Sequence, residues 1–474
     1  MNKHVKRLLL IVPLLVGTVG FLLSGSCSLP DALFRCLTMY ALNYGDTPPN
    51  ALVEIARWTA PLATAGGILM AAAALRERLR GFFLYLRSDS VAVFGPETGR
   101  ERMLRALGRR GVRCEGRPPK ARRYVLLDSE EANLAYYSAN RERFGARPVY
   151  LRCESLPVQT PVDSNMILFS VEETAARLYW RLYPLYRTAA AAAYDLDVVL
   201  LGYGRLGEEL LLRGLQTNVF SPSQKLRYHV FGDCAETLAV HTGIGEIEDK
   251  VIPHEEPWYK AASLLSGAKR IIVLQQTDQA ALLRDLHLLL PRSEVSVFLA
   301  PNAPAKLLSG EYGMDCFDWR AEAEKPENVL EDRRYLLAKT INLRYCNLYG
   351  GTPETPENRE AEWEKLDAFT RGSNISAADY HEIRLQMLRE LGLEPDYDKL
   401  PPDAVELLSE LEHIRWCRYH YLNNWRCGEP ENGKRKDPAK RIHADLVSYG
   451  GLTDPEKQKD RDNIRVLLSV PVED

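Results

Sequence analysis

The chain has 474 residues, 46% of them apolar and 26% charged, with a formal net charge of −3 and nine cysteines. That length exceeds what one hydrophobic core supports and calls for two to four domains. The acidic balance excludes a dominant nucleic-acid-binding role, and nine cysteines without a CxxC pair read as reduced thiols rather than a disulfide framework.

Residues 8–30 carry no charge and begin LLLIVPLLVGTVGFLL; residues 58–75, WTAPLATAGGILMAAAAL, form a second uncharged stretch. Each approaches the ~20 residues that a helix needs to cross a bilayer. Lys3, Lys6 and Arg7 precede the first stretch and Arg76, Arg78 and Arg80 follow the second, which puts both ends on the cytoplasmic side. The expectation is a two-pass α-helical hairpin in the inner (cell) membrane over residues 1–87. Its spans fall at 8–26 and 55–75, with a re-entrant, pore-like segment at 29–47. A cleaved leader would also explain the first stretch but leaves the second without a role. Tyr44-Gly45-Asp46 resembles the end of a potassium selectivity filter. Ala41 and Asn43 replace the threonine and glycine of such a filter, so its position fits a pore loop better than its chemistry fits potassium selectivity. Cys27 and Cys36, if they face outward, are placed to pair.

Beyond Arg87 short β-branched runs alternate with helical spacing, the pattern of a parallel sheet with covering helices. Strands are expected at SVAVFG (90–95), RYVLLD (123–128) and PVYLRC (148–153). The loop Gly95-Pro96-Glu97-Thr98-Gly99 keeps only part of a phosphate-binding turn, because Pro96 lacks an N–H and Glu97 repels phosphate. Residues 88–185 therefore read as a degenerate Rossmann-like domain. A second unit, 186–325, holds DVVLLGYGRLGEELLLRGL: an apolar strand, then Gly202-x-Gly204-x-x-Gly207, then an amphipathic helix. Gly202 permits the tight turn, Gly204 lets the backbone approach a pyrophosphate, and Gly207 lets helix pack close to strand. Asp233 follows the next strand, RYHVF, at a place suited to ribose hydroxyls. Further strands fall at 270–276 and 294–300, and His254 with Glu255 and Glu256 reads as a solvated turn.

The GYGRLG stretch resembles the GxGRxG of the Trk-type, or RCK, potassium-transport regulatory domains. The resemblance implies tandem α/β Rossmann-like domains behind a membrane segment, NAD or an adenine nucleotide as ligand, Arg205 near phosphate and Asp233 on ribose.

Residues 326–400 read as a helical adaptor with a loop at 350–360, and 401–474 as a small, mainly α domain. A helix over 404–424 carries an apolar stripe of Leu407, Leu411, Ile414, Cys417 and Tyr421, with Trp416 and Tyr419 on another face. The loop after it concentrates Lys434, Arg435, Lys436, Lys440, Arg441 and His443, cations that suit a phosphate beside aromatic faces. His413, Cys417, His420 and Cys427 match no standard zinc spacing, so no metal is expected. The stretch from Trp416 to Arg461, with RIHADLVSYGGL and PEKQKDRDNIR, resembles a RyR repeat; Asn424 stands where glycine is common. The resemblance implies a ligand site for a nucleotide or second messenger, formed by Trp416, Tyr419, Trp425, Lys440, Arg441 and His443.

With no GxSxG, HExxH or Walker loop, no catalytic residues are expected. Together the parts point to a membrane-anchored, nucleotide-responsive, channel-like effector, a homo-oligomer and expected tetramer, of a kind suited to antiviral signalling. The alternatives are a non-conducting membrane-tethered nucleotide sensor or scaffold, and an NAD-dependent oxidoreductase.

Overall fold

The computed structural model describes residues 3–25, 27–43, 48–86, 89–155, 163–186, 195–275, 277–290, 295–298, 304–330, 333–431 and 433–470. The chain divides into two compact units, 1–90 with 119–122, and 91–118 with 123–474.

Three helices make the first unit: Lys3–Leu23, Leu29–Tyr40 and Ala51–Leu86. Their contacts are close because glycine lines them. A Cβ on Gly17 would lie 2.7 Å from Cys36 Sγ and 2.8 Å from Ala56 Cβ, and one on Gly20 would lie 2.9 Å from Leu52 Cβ. Asn50 Nδ2 donates to the Gly20 carbonyl (3.1 Å), and Thr64 Oγ1 donates to the Tyr40 carbonyl (2.9 Å). Phe21, Ala32, Cys36, Met39, Val53, Ala56 and Ala60 form the small core inside. The outer faces are apolar: Trp58, Leu62 and Leu69 are 70–73% exposed. Among the described residues no helix is long and apolar enough to cross a membrane, so the two expected spans gain no support from the described helices. Of the expected filter, Asn43 is an exposed residue whose N–H donates to the Thr38 carbonyl (3.1 Å); Tyr44, Gly45 and Asp46 lie outside the described residues. Cys27 and Cys36 are both free thiols, against the pairing considered for them.

The second unit begins with a five-stranded parallel sheet of β1 (Val91–Phe94), β2 (Gly111–Arg113), β3 (Arg123–Leu126), β4 (Val149–Arg152) and β5 (Met166–Phe169). Its order is β2-β1-β3-β4-β5, the flavodoxin-like variant of the doubly wound fold. The six-stranded sheet that follows holds β6 (Asp195–Leu201), β7 (Lys225–Phe231), β8 (Lys250–Pro253), β9 (Arg270–Val273), β10 (Val295–Phe298) and β11 (Asp315–Phe317). All its strands are parallel and the order is β8-β7-β6-β9-β10-β11. Counted from β6 that is 3-2-1-4-5-6, the dinucleotide-binding Rossmann order. The chain therefore carries tandem Rossmann-like α/β sheets, the first flavodoxin-like.

Helices complete the unit. Residues 356–360, expected as loop, start the helix Pro356–Glu364, because Thr355 caps the Asn358 N–H (3.2 Å) and Pro356 occupies the first turn. The helix Ala368–Glu390 is capped by Asp367. The C-terminal part pairs the helices Pro402–Leu422 and Asp454–Leu468 with a three-stranded ribbon of β12 (Arg426–Cys427), β13 (Lys436–Asp437) and β14 (Ile442–His443). The helix Pro402–Leu422 is not a one-stripe surface helix. Glu412, His413, Arg415 and Arg418 on its other faces are all buried, and its Leu411 and Leu422 join one core with residues of both large sheets and of the helix Ala368–Glu390.

Candidate functional site

The switch point of the six-stranded sheet lies between β6 and β9, where crossovers leave in opposite directions and a crevice opens at the strand ends. Gly202 follows β6 with φ +94°, and a Cβ on it would lie 2.8 Å from Gln275 N, just past β9. Only glycine fits there. Gly204 has φ +65° and open space beside it, and it begins the helix Gly204–Thr217. Gly207 packs against Tyr203 and Leu274, its Cβ position 2.9 Å from Tyr203 Cδ2. Tyr203 fills the gap toward β7, donating from its hydroxyl to Thr237 Oγ1 (3.0 Å). Asp233, exposed beyond β7, accepts from the Ala235 N–H with Oδ1 (3.1 Å). Arg205 does not face a free anion position: its Nη1 pairs with Glu208 Oε2 (2.6 Å) and its Nη2 with Glu209 Oε1 (2.8 Å).

The corresponding loop of the first sheet is closed. A Cβ on Gly95 would lie 2.9 Å from Leu127 Cβ, and Glu324 sits over the helix start near Gly99, its carboxylate paired with Arg102 at 2.6 Å.

A cleft of about 1400 Å³ runs between the helix Gly204–Thr217 and the C-terminal part. Arg205, Glu208, Glu209 and Arg213 line one wall; Trp416, Tyr419, His420, Trp425 and His443 line the other. The aromatic wall is a continuous cluster. Trp416 and His420 are 4.0 Å apart between ring centres, Trp416 and His443 meet edge to face at 4.9 Å, and Trp425 stacks on Phe369 at 5.0 Å. Hydrogen bonds fix the two imidazoles in opposite tautomers. His420 Nδ1 donates to the Trp416 carbonyl (2.9 Å), leaving Nε2 as a bare acceptor; His443 Nδ1 accepts from the Asp445 N–H (3.0 Å), leaving Nε2 as an N–H donor. Burial holds both rings neutral, His420 down to about 3 and His443 to about 4. The cleft thus presents an acceptor and a donor on rings 5.8 Å apart, flanked by indole faces.

The expected ligand residues divide. Trp416 and His443 are half-buried in the wall. Tyr419 and Trp425 are buried, with the Tyr419 hydroxyl donating to the Phe369 carbonyl (2.7 Å), so they shape the wall rather than offer polar groups. Arg441 reaches the Asn423 carbonyl from Nη1 (3.2 Å) at the rim. Lys440 is not in the lining; its Nζ pairs with Glu431 at 2.6 Å. Of the residues considered for zinc, His413 is committed to the Val447 carbonyl (2.8 Å) and Asp460 (3.3 Å), and Cys427 is exposed. Phe369 and His420 complete the cluster without having been expected in a ligand site. Phe369 arrives from a distant helix, whereas His420 could have been found by its i+4 spacing from Trp416. His254 is no free turn residue: its ring stacks on Phe231 and its Nε2 meets His229 Nδ1 at 2.9 Å, with His229 Nε2 on Asp197 at 3.0 Å.

No family model and no curated protein matches the chain. Among solved structures, a component of dipicolinate synthase from Bacillus halodurans aligns at 11% identity over 52% of this chain and 97% of its own, with a TM-score of 0.24. A D-lactate dehydrogenase from Treponema pallidum aligns at 12% identity over 64% of this chain and 98% of its own, with a TM-score of 0.22. Overlaps that loose bear on neither fold nor function; the strand orders carry the fold assignment.

Proposed function

We propose that the protein is a membrane-attached, nucleotide-responsive sensor and not an enzyme. The observation that carries this reading is the cleft in which the indole of Trp416 and the oppositely disposed imidazoles of His420 and His443 face the Gly204–Thr217 helix of a Rossmann-ordered sheet. Indole faces stack a purine, and a paired acceptor and donor match a base edge that offers the reverse. Gly202, Gly204 and Asp233 are disposed to hold NAD or an adenine nucleotide at the switch point, with the Asp233 carboxylate on ribose hydroxyls. Membrane attachment through residues 1–86, with both termini cytoplasmic, accounts for the exposed Trp58, Leu62 and Leu69.

The test is titration of the full chain with ATP, GTP and NAD, followed by tryptophan fluorescence and calorimetry. A nucleotide response lost in Trp416→Ala and retained in Lys440→Ala is expected; a response that ignores Trp416→Ala rejects the cleft. Co-flotation with liposomes tests the attachment.

A conducting homo-oligomer is the second reading. It is favoured by the short helix Leu29–Tyr40 packed between two long helices, the layout of a pore helix ahead of its loop. Ion flux from proteoliposomes on addition of nucleotide separates the two.

A further inference from the structure

A second, smaller cavity of about 240 Å³ opens where the helices Val171–Leu182, Gly204–Thr217 and Ala368–Glu390 meet. Its charged lining is Arg177, Arg181, Arg213, Arg389, Asp379 and Glu382. Four guanidiniums face two carboxylates, a local excess of positive charge in a chain whose net charge is −3. The floor is buried. Arg177 holds Asp379 Oδ1 through Nε (2.7 Å) and Nη2 (2.5 Å), and its Nη1 is buried with no hydrogen-bond partner among the described residues. Asp379 Oδ2 likewise lacks a hydrogen bond among them; Arg213 Nη1 lies 3.7 Å from it. At the mouth Arg181 and Arg389 are exposed. Arg181 reaches Glu382 only at 3.7 Å, and Arg389 spends Nε on the Leu385 carbonyl (3.3 Å). Two mouth guanidiniums therefore keep donors in hand above a floor where Arg177 and Arg213 are balanced by Asp379 and Glu173.

We infer that this cavity is a binding site for a small, doubly charged oxyanion, a phosphoryl group or a short dicarboxylate. Guanidiniums take such groups with parallel N–H···O pairs, and two exposed arginines at a mouth can close on one from both sides. The cavity is smaller than the pockets of about 300–1,000 Å³ that take drug-sized ligands, which suits a small anion, and Trp180 and Pro184 give it an apolar side. Arg213 lines both this cavity and the large cleft, holding Glu173 at 2.8 Å. An anion that reaches Arg213 competes with Glu173 for its guanidinium.

Calorimetric titration of the full chain with sodium phosphate and with sodium succinate, each matched in ionic strength with sodium chloride, tests this. The expected result is one-site binding that weakens at least tenfold in the double variant Arg181→Gln/Arg389→Gln and is unchanged in Arg441→Gln, which alters only the cleft rim. Binding of both anions defines a dianion site, and binding of phosphate alone narrows it to phosphoryl groups. No heat from either up to about 10 mM, equal affinity in wild type and double variant, or a loss confined to Arg441→Gln overturns the assignment. Both mouth arginines are exposed, and an unchanged melting temperature without anion confirms that the double variant folds.

Discussion

The carbonyl of Tyr421 occupies the space that a side chain on Gly243 would need: a Cβ built on Gly243 overlaps the carbonyl oxygen and lies 2.8 Å from its carbon. Gly243 belongs to the short turn Thr242–Glu246 that leads into β8, and Tyr421 to the last turn of Pro402–Leu422. Backbone meets backbone there, so neither side can yield by turning a rotamer. Gly243→Ala is expected to destabilise the chain by about 1–3 kcal/mol, read as a lower midpoint in urea. Gly245→Ala, two residues on with open space at its Cβ position, is the control and should leave the midpoint in place.

Arg418 drives the same docking from inside. Its Nη1 pairs with Asp249 Oδ2 at 2.7 Å and donates to the Leu215 carbonyl at 2.9 Å, with both side chains at most 4% exposed. Removing one member strands the other charge in a low dielectric, so Arg418→Met is expected to cost about 3–5 kcal/mol. Arg418→Met/Asp249→Asn should cost less than the sum of the two single changes, because the stranded charge goes as well. Additive urea midpoints across that cycle would show that the pair is not coupled.

Asn424 acts as a clip between the C-terminal part and the sheet. Its Nδ2 donates to the Val240 carbonyl (2.7 Å), and its Oδ1 accepts from the Thr242 hydroxyl (3.2 Å) and the Gly243 N–H (3.3 Å). Its backbone is left-handed, φ +59°, a conformation that asparagine adopts more readily than most residues other than glycine. Asn424→Gly loses the clip but keeps the backbone; Asn424→Ala loses the clip and adds strain of about 1 kcal/mol. The melting order should be wild type, then Asn424→Gly, then Asn424→Ala. If Asn424→Gly melts with wild type, the clip contributes nothing.

The glycine loop was legible because its chemistry is local: Gly202 and Gly204 do adopt positive φ, and Asp233 does follow the neighbouring strand. Arg205 was legible in place but not in partner, since Glu208 and Glu209 one turn on take up its charge. The helix Pro402–Leu422 misled for a related reason. Hydropathy counts Glu412, Arg415 and Arg418 as surface residues, yet Arg415 is bound by Glu412 at 2.7 Å, and Arg384, which comes from another helix, reaches the same carboxylate at 2.6 Å. Charges paired across helices leave no periodic signal. Phe369 and the arginine-lined cavity depend on residues far apart in sequence, so no local pattern announces them. The three-residue strand β2 is too short for an alternation to show.

Buried histidines give the chain a stability maximum set by opposing groups. Burial alone would discharge His413, but Asp460 and the neighbouring Cys417 Sγ outweigh it and raise the imidazole to about 10. Between an unfolded value of about 6.5 and that figure the native state holds more protons than the unfolded chain, so this contribution falls as pH rises. His381, His420 and His443 behave oppositely. Burial holds them at about 3, 3 and 4, so below about 6.5 the unfolded chain takes up protons that the native state refuses, and stability falls as pH drops. The melting temperature, followed from pH 5 to 9.5, should therefore peak near the ordinary histidine value. His413→Gln should flatten the alkaline limb, because the raised imidazole is gone. His420→Gln should soften the acid limb instead, since one of the protons refused by the native state no longer exists. An alkaline limb equally steep in His413→Gln would assign that loss of stability to other groups and remove the His413–Asp460 pair from the account.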